Sequence, residues 1–321
     1  MAAPATLTEQ LDTFYATTWE ERQRQAVDQI FGARPFFWWL MQEGRRVSQR
    51  GGRFLEVPLM YSKNDTITSF GRFGTFQLTP QDPLTSTVTN WKYIGGSVIR
   101  DWVGDQQNRG EYQIINRATT LMDQLILSLQ EKMGDQIFGD GAGNGGLDLD
   151  GLDKLVQVDP TIADTVQNLS QSTNTWWRNI TTAASGAMDV FLLTDMRRSV
   201  RLVSEGVDYP DIGVTEPLVF EAYEAELLEF FKIEDRKGAD AGFENFKFKG
   251  ITIFWDPKCP AQRLYWLNSK YISLFYDPDV DFAMTDWKPI PGQLDRAAQV
   301  VYAGNLTTSR RSRQGILTGL V

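Results

Sequence analysis

The sequence predicts an α+β fold, and three observations predict it. From Gly110 to Phe138, apolar residues fall at Ile114, Ala118, Met122, Leu125, Leu129, Met133 and Ile137. Steps of three and four put them on one face of a helix of about 29 residues, about 43 Å long at its rise per residue. Two strand-like arms, near 53–63 and 84–99, flank a polar segment and read as one long hairpin. Finally, FENFKFKG, ITIFWD, RLYWLN and YISLFYD form a run of short strands that follows two helical stretches.

At the N-terminal end, residues 1–17 are small and polar. Thr18 with Glu21 forms a capping box, which predicts a helix ending near Gly32. Pro35 starts a second, short helix, PFFWWLMQEG, apolar nearly all round. Such a helix must be covered, either by the chain's own core or by a neighbouring subunit. Pro58 assigns the first hairpin arm to an edge position. The segment between the arms repeats Gly and Phe, with Phe70, Phe73 and Phe76, and has little apolar material to bury by itself. A lone two-stranded ribbon is marginal in water, so the arm needs a cover from its own body or from another copy.

Asp101 to Asn108 reads as a polar approach to the long helix. That helix ends in GDGAGNGGLDLDG, where glycine frees the backbone to turn. LDKLVQVDP then reads as a strand-and-turn linker, and 160–187 as loop with one strand. Leu192, Met196, Val200 and Val203 predict a helix over 190–204. DIGVT is a short buried strand, and Thr215-Glu216-Pro217 starts the next helix, LVFEAYEAELLEFF. After the four short strands come a last strand in LDRAAQVVYAGNLTT and a basic end, SRRSRQGILTGLV. The later strands and the two helices would make one lobe, and the long helix, the hairpin and the last strand another.

With 321 residues, 42% of them hydrophobic, the chain can bury a substantial core. A net charge of −9 argues against binding nucleic acid over the whole surface. The N-terminus lacks the features of a secretory signal, and no apolar run approaches the roughly 20 residues that span a bilayer. Cys259 is the only cysteine, which suits a reducing compartment. Histidine is absent, removing the commonest general base and metal ligand.

The remaining chemistry is carboxylate. Asp148, Asp150 and Asp153 suggest calcium ligands, but the closing bidentate Glu of an EF-hand is missing and the pattern occurs once. The glycines follow a helix and precede a strand, the reverse of a nucleotide-binding turn. Asp277, Asp279 and Asp281 lie in YDPDVDF, where Asp and Pro make turns for their own reasons. Cys259 has no partner base. A structural turn is the better reading of each, so no catalytic, cofactor-binding or metal residue is predicted. A metal-dependent carboxylate hydrolase stands as the enzyme alternative. Two basic clusters remain, Arg45, Arg46, Arg50 and Arg53, and Arg310, Arg311 and Arg313. They serve salt bridges to the chain's acids or contact with another copy or a polyanion.

Three stretches resemble the major capsid proteins of tailed phages, the Hong Kong 97-type fold: the long helix with GDGAGNGGLDLDGLDKL, then GADAGFENFKFKGITIFWDPKCP with RLYWLNSKYISLFY, and last DRAAQVVYAGNLTTSRRSRQGILTGL. The resemblance implies an N-terminal arm (1–47), an extended β-hairpin loop (48–100), a peripheral domain with the long spine helix (101–152 and 277–321) and an axial α/β domain (153–276). It implies hexamers and pentamers in an icosahedral shell around double-stranded DNA, held by weak nonspecific contact, within a virion assembled in host cytoplasm. Expected partners are further copies, a separate scaffolding protein, a portal and a decoration protein; no membrane is expected. Subunit-contact candidates are Trp38, Trp39, Arg45, Arg46, Arg53, Phe70, Phe73, Phe76, Arg310, Arg311 and Arg313. An encapsulin-type compartment with an enzyme cargo is the alternative of the same fold.

Overall fold

A computed structural model describes residues 34–42, 44–107, 117–228 and 245–321. The expected helix over 18–32 and the first part of the long helix, with Ile114, lie outside the described residues.

The chain opens with helix α1 (Pro35–Met41) and strand β1 (Arg46–Ser48). The antiparallel ribbon β2 (Leu55–Met60) and β3 (Leu84–Thr89) follows, then β4 (Lys92–Arg100), α2 (Trp102–Gln107) and α3 (Arg117–Gln136). After the glycine turn come α4 (Leu152–Leu155), the small hairpin β5 (Thr165–Val166) and β6 (Leu169–Ser170), and β7 (Ile180–Ala183). Helix α5 (Met188–Val203), β8 (Ile212–Thr215) and α6 (Pro217–Leu228) lead to β9 (Asn245–Phe248), β10 (Ile251–Trp255), β11 (Arg263–Leu267) and β12 (Ile272–Tyr276). The last elements are β13 (Ala283–Met284), β14 (Lys288–Pro289), β15 (Arg296–Thr308) and β16 (Gly315–Thr318).

Two compact units result. The first comprises Ile94–Lys132 and Phe282–Tyr302. In it β13, β14 and β4 pair with β15, and Phe282 packs on Tyr302 with ring centroids 5.1 Å apart. The second comprises Arg34–Tyr93, Met133–Asp281 and Ala303–Val321. Its main sheet runs β7-β16-β11-β8-β10-β9, with α5 and α6 packed on it. Leu192, Met196 and Val200 from α5 and Val219, Phe220 and Tyr223 from α6 meet Ile251, Ile253, Leu264, Trp266 and Leu317 of the sheet. The helical spacing of those residues dictates this packing, because it gathers them into one stripe that only a sheet face can cover.

Several expectations need correction. The hairpin's return arm is split, because only β3 pairs with β2 while β4 leaves to pair with β15. Gly95 permits the departure: a Cβ there would lie 3.2 Å from the Val300 carbonyl oxygen. The approach to the long helix contains α2, and LDKLVQVDP contains α4 rather than a strand. The basic end holds a strand that was not expected, since GILT forms β16 between β7 and β11 in the main sheet. Two apolar residues, Ile316 and Leu317, after a cluster of arginines carry too little periodicity to announce a buried strand.

Candidate assembly surface

The β2–β3 ribbon has two different faces. Leu55 opposes Thr89, Val57 opposes Thr87 and Leu59 opposes Thr85. Leu55, Thr87 and Thr89 on this face are buried. It is fastened at its root, where Val88 N donates to the Gln167 carbonyl (3.1 Å) and the Gln167 amide meets Thr89 Oγ1 at 3.1 Å. Trp91 Nε1 donates to the Gly52 carbonyl (2.9 Å), and Tyr61 stacks on Trp176 at 5.8 Å. On the other face Glu56, Pro58, Met60 and Leu84 are exposed, as the period of two requires.

Beyond Tyr61 the chain to Pro83 has no strand or helix. Its hydrogen bonds are local, such as Thr66 N to Asn64 Oδ1 (2.9 Å) and Gly74 N to the Gly71 carbonyl (3.0 Å). Phe70 and Phe76 meet edge-on at 4.8 Å, and Arg72 lies over Phe73. All three phenylalanines stay exposed, and Ile67 and Leu78 are 84% and 95% exposed. Exposed apolar side chains in this number on one segment make it the candidate docking surface. Met60, Ile67, Leu78 and Leu84, absent from the residues expected from sequence, are exposed on the ribbon beside the phenylalanines. Their only signal was apolar residues scattered through a stretch too polar to fold on its own.

The other candidates divide. The greasy helix α1 is buried in the chain's own core. Phe36 packs on Phe138 at 5.5 Å, its backbone N–H donates to Asp256 Oδ2 (3.2 Å), and Trp39 is buried beneath the Arg45 guanidinium, 4.0 Å from the ring centroid. Burial pushes the Asp256 carboxyl above its ordinary value, against the pull of its hydrogen bonds from Lys258 and Phe36. Trp38 alone points out, 48% exposed. Arg46 pairs with Asp281 at 2.6 Å and covers the Tyr276 ring, and Arg53 is exposed over Phe54. Arg310 pairs with Glu205 (3.1 Å) and Asp208 (3.2 Å), and Arg313 with Glu205.

Arg311 is fully buried and has no surface to offer a neighbour. Its Nε donates to the Leu155 carbonyl (2.7 Å), Nη1 to Gln171 Oε1 (3.0 Å) and the Trp177 carbonyl (3.2 Å), and Nη2 to Asn179 Oδ1 (2.9 Å). Desolvation pushes its pKa down to about 10, which still leaves it charged at neutral pH. Trp39 and Arg311, expected as contacts with a neighbour, are thus spent inside the chain, because a bulky ring and a guanidinium with local acceptors gain more from burial here than from exposure.

The glycine-aspartate turn does not gather its carboxylates. Asp148 accepts from Gln136 Nε2 (2.7 Å), Asp150 from Asn305 Nδ2 (2.7 Å), and Asp153 from Tyr265 Oη (2.8 Å) and Arg263. Asp277 accepts from Asp279 N (3.0 Å) in its own turn. Among the described residues no three His, Cys, Asp or Glu side chains converge as metal ligands, and no helix is long and apolar enough to cross a membrane. Cys259 is buried, and burial followed by the nearby Asp256 and Glu216 pushes its thiol well up.

No protein-family profile and no curated protein sequence matches the chain. Solved structures do match its fold. The capsid asymmetric unit of cyanophage A-1(L) superposes with a TM-score of 0.67 at 15% identity, covering 92% of this chain and 95% of that one. The capsid of Myoviridae phage XM1 gives 0.63 at 11%, covering 99% and 100%. The SrpI encapsulin of Synechococcus elongatus PCC 7942 gives 0.56 at 12%, covering 100% and 96%. The chain therefore has the Hong Kong 97-type capsid fold.

Proposed function

We propose that this chain is a tailed-phage major capsid protein, which builds hexamers and pentamers of an icosahedral head around double-stranded DNA. The observation that carries the reading is the match in fold over nearly the whole length of phage capsid chains. The ribbon tip supports it, since its exposed apolar residues gain burial only on a partner. In this reading residues 1–47 are the arm, 48–100 the extended loop, 101–152 and 277–321 the peripheral domain, and 153–276 the axial domain. Trp38, Arg53, Phe70, Phe73 and Phe76 are the contact candidates left at the surface. Arms of this kind couple each subunit's order to assembly, which suits a shell held by many modest contacts. A separate scaffolding protein, a portal and a decoration protein are the partners, DNA is held weakly, and the particle forms in host cytoplasm.

The test is sedimentation of the purified chain with negative-stain imaging. Shells or capsomers are expected; a monomer at every concentration, with and without scaffolding protein, overturns the proposal. The similarity to an encapsulin favours a second reading, a compartment around an enzyme cargo. Nucleic acid inside purified particles supports the first reading, and a co-purifying enzyme supports the second.

A further inference from the structure

Helix α5 packs on the main sheet through Leu192, Met196 and Val200, and α6 through Val219, Phe220 and Tyr223. Their other faces are open and differ in charge. On α5 the exposed residues are Val190, Phe191, Thr194, Arg197, Arg198, Arg201 and Leu202. Three arginines are thus bracketed by apolar side chains, with Val190 67% and Leu202 45% exposed. On α6, Leu218 is 65% exposed beside exposed Glu221 and Ala225 and half-buried Glu224 and Glu226. Among the described residues none of these three arginines or three glutamates has an ion pair or side-chain hydrogen bond. This sets them apart from Arg310 and Arg313, whose charge Glu205 and Asp208 answer within the chain. An open hollow of about 440 Å³, lined by Ala187, Met188, Ala222, Ala225, Glu226 and Val321, adjoins the acidic face.

We infer that the basic face of α5 docks on the acidic face of α6 in the next copy of the chain. One surface carries three unanswered positive charges, the other three unanswered negative ones, and each mixes them with apolar anchors. The faces are different, so the contact is head-to-tail, the kind that repeats around a ring rather than closing a pair. Charges placed this way set register and suppress wrong approaches more than they add affinity. A second copy is favoured over nucleic acid as the occupant. Val190, Phe191 and Leu202 suit a protein partner, whose interfaces favour Arg beside apolar anchors. The acidic face of α6 on the same sheet, with the net charge of −9, would repel a phosphate backbone. This inference rests on the shell reading above.

Charge swapping tests it. Arg197→Glu/Arg198→Glu/Arg201→Glu and Glu221→Arg/Glu224→Arg/Glu226→Arg should each leave thermal unfolding unchanged. Each should raise the subunit concentration needed for assembly by roughly tenfold or more, since like charges then face each other. The chain with all six substitutions should assemble again, and a mixture of the two triple variants should recover the even-numbered rings, in which the two can alternate. Assembly of the arginine variant at the normal concentration overturns the inference, as does a folded six-fold variant that stays disassembled. Normal shells that have lost only their nucleic acid would assign the α5 face to nucleic acid instead. A wild-type chain that never assembles removes the shell reading, and this inference with it.

Discussion

Asp150 and Asn305 hold each other reciprocally. Asn305 Nδ2 donates to Asp150 Oδ2 at 2.7 Å, and Asp150 N donates to Asn305 Oδ1 at 2.9 Å. Asn305 Nδ2 also reaches the Asn90 carbonyl (3.0 Å), so one buried amide ties the glycine-aspartate turn and the connection between β3 and β4 to β15. Asn305→Ala strands these groups, and a loss of about 2–4 kcal/mol in denaturant unfolding is expected. A change under about 0.5 kcal/mol would show that the pair holds nothing.

Burial raises the Asp150 carboxyl, against the Asn305 hydrogen bond and the charges of Lys92 and Lys154, and it raises Asp256 as well. A carboxyl raised in the folded state binds its proton more tightly there than in the unfolded chain. Its favourable contribution is therefore fully present below the ordinary value of 3.8 and is lost as pH rises through the folded value. Asp150→Asn should remove that loss. Its melting temperature relative to wild type should improve from about pH 4 toward neutrality. A difference that shrinks or stays flat over that range contradicts the assignment.

Gly151 sits where no side chain fits. A Cβ there would come within 2.5 Å of the carbonyl oxygens of Gln136, Ile137 and Gly139. Backbone atoms cannot yield as a flexible side chain can. Gly151→Ala should cost about 3 kcal/mol or more, read from the midpoint of chemical unfolding. Wild-type stability in that variant would refute the close approach of the three carbonyls.

Arg311 satisfies its guanidinium with neutral acceptors from four separate residues. Arg311→Met leaves those acceptors buried and unmet, for a loss of about 3–5 kcal/mol. Arg311→Lys should recover only part of it, because an ammonium cannot span the fork. Full recovery by lysine in thermal unfolding would refute the geometric argument.

Deleting residues 63–82, or changing Phe70, Phe73 and Phe76 to Ser, removes surface that the described chain leaves exposed. Unfolding should stay within about 0.5 kcal/mol of wild type for the serine variant. Both variants should remain folded and fail to build shells. Normal particles by electron microscopy from either one would dismiss the tip as a contact.

The sequence by itself determined most of the elements and the sides they bury. Met122, Leu129 and Met133 form the expected buried stripe of α3, with Ile137 buried just past its end, and Leu192, Met196, Val200 and Val203 form that of α5, because helical period is written locally. The short strands β8 to β12 were legible for the same reason. It also determined the polar character of the ribbon tip, whose residues find partners only among their near neighbours in sequence. Only the tertiary structure decided pairing. That β4 leaves β3 for β15, that GILT enters the main sheet, and that Arg311 turns inward while Arg310 stays out all depend on partners far along the chain. So does the fate of the glycine-aspartate turn. Locally, Asp148, Asp150 and Asp153 look alike, but Gln136, Asn305 and Arg263 draw them apart, and a carboxylate's role follows the group that faces it.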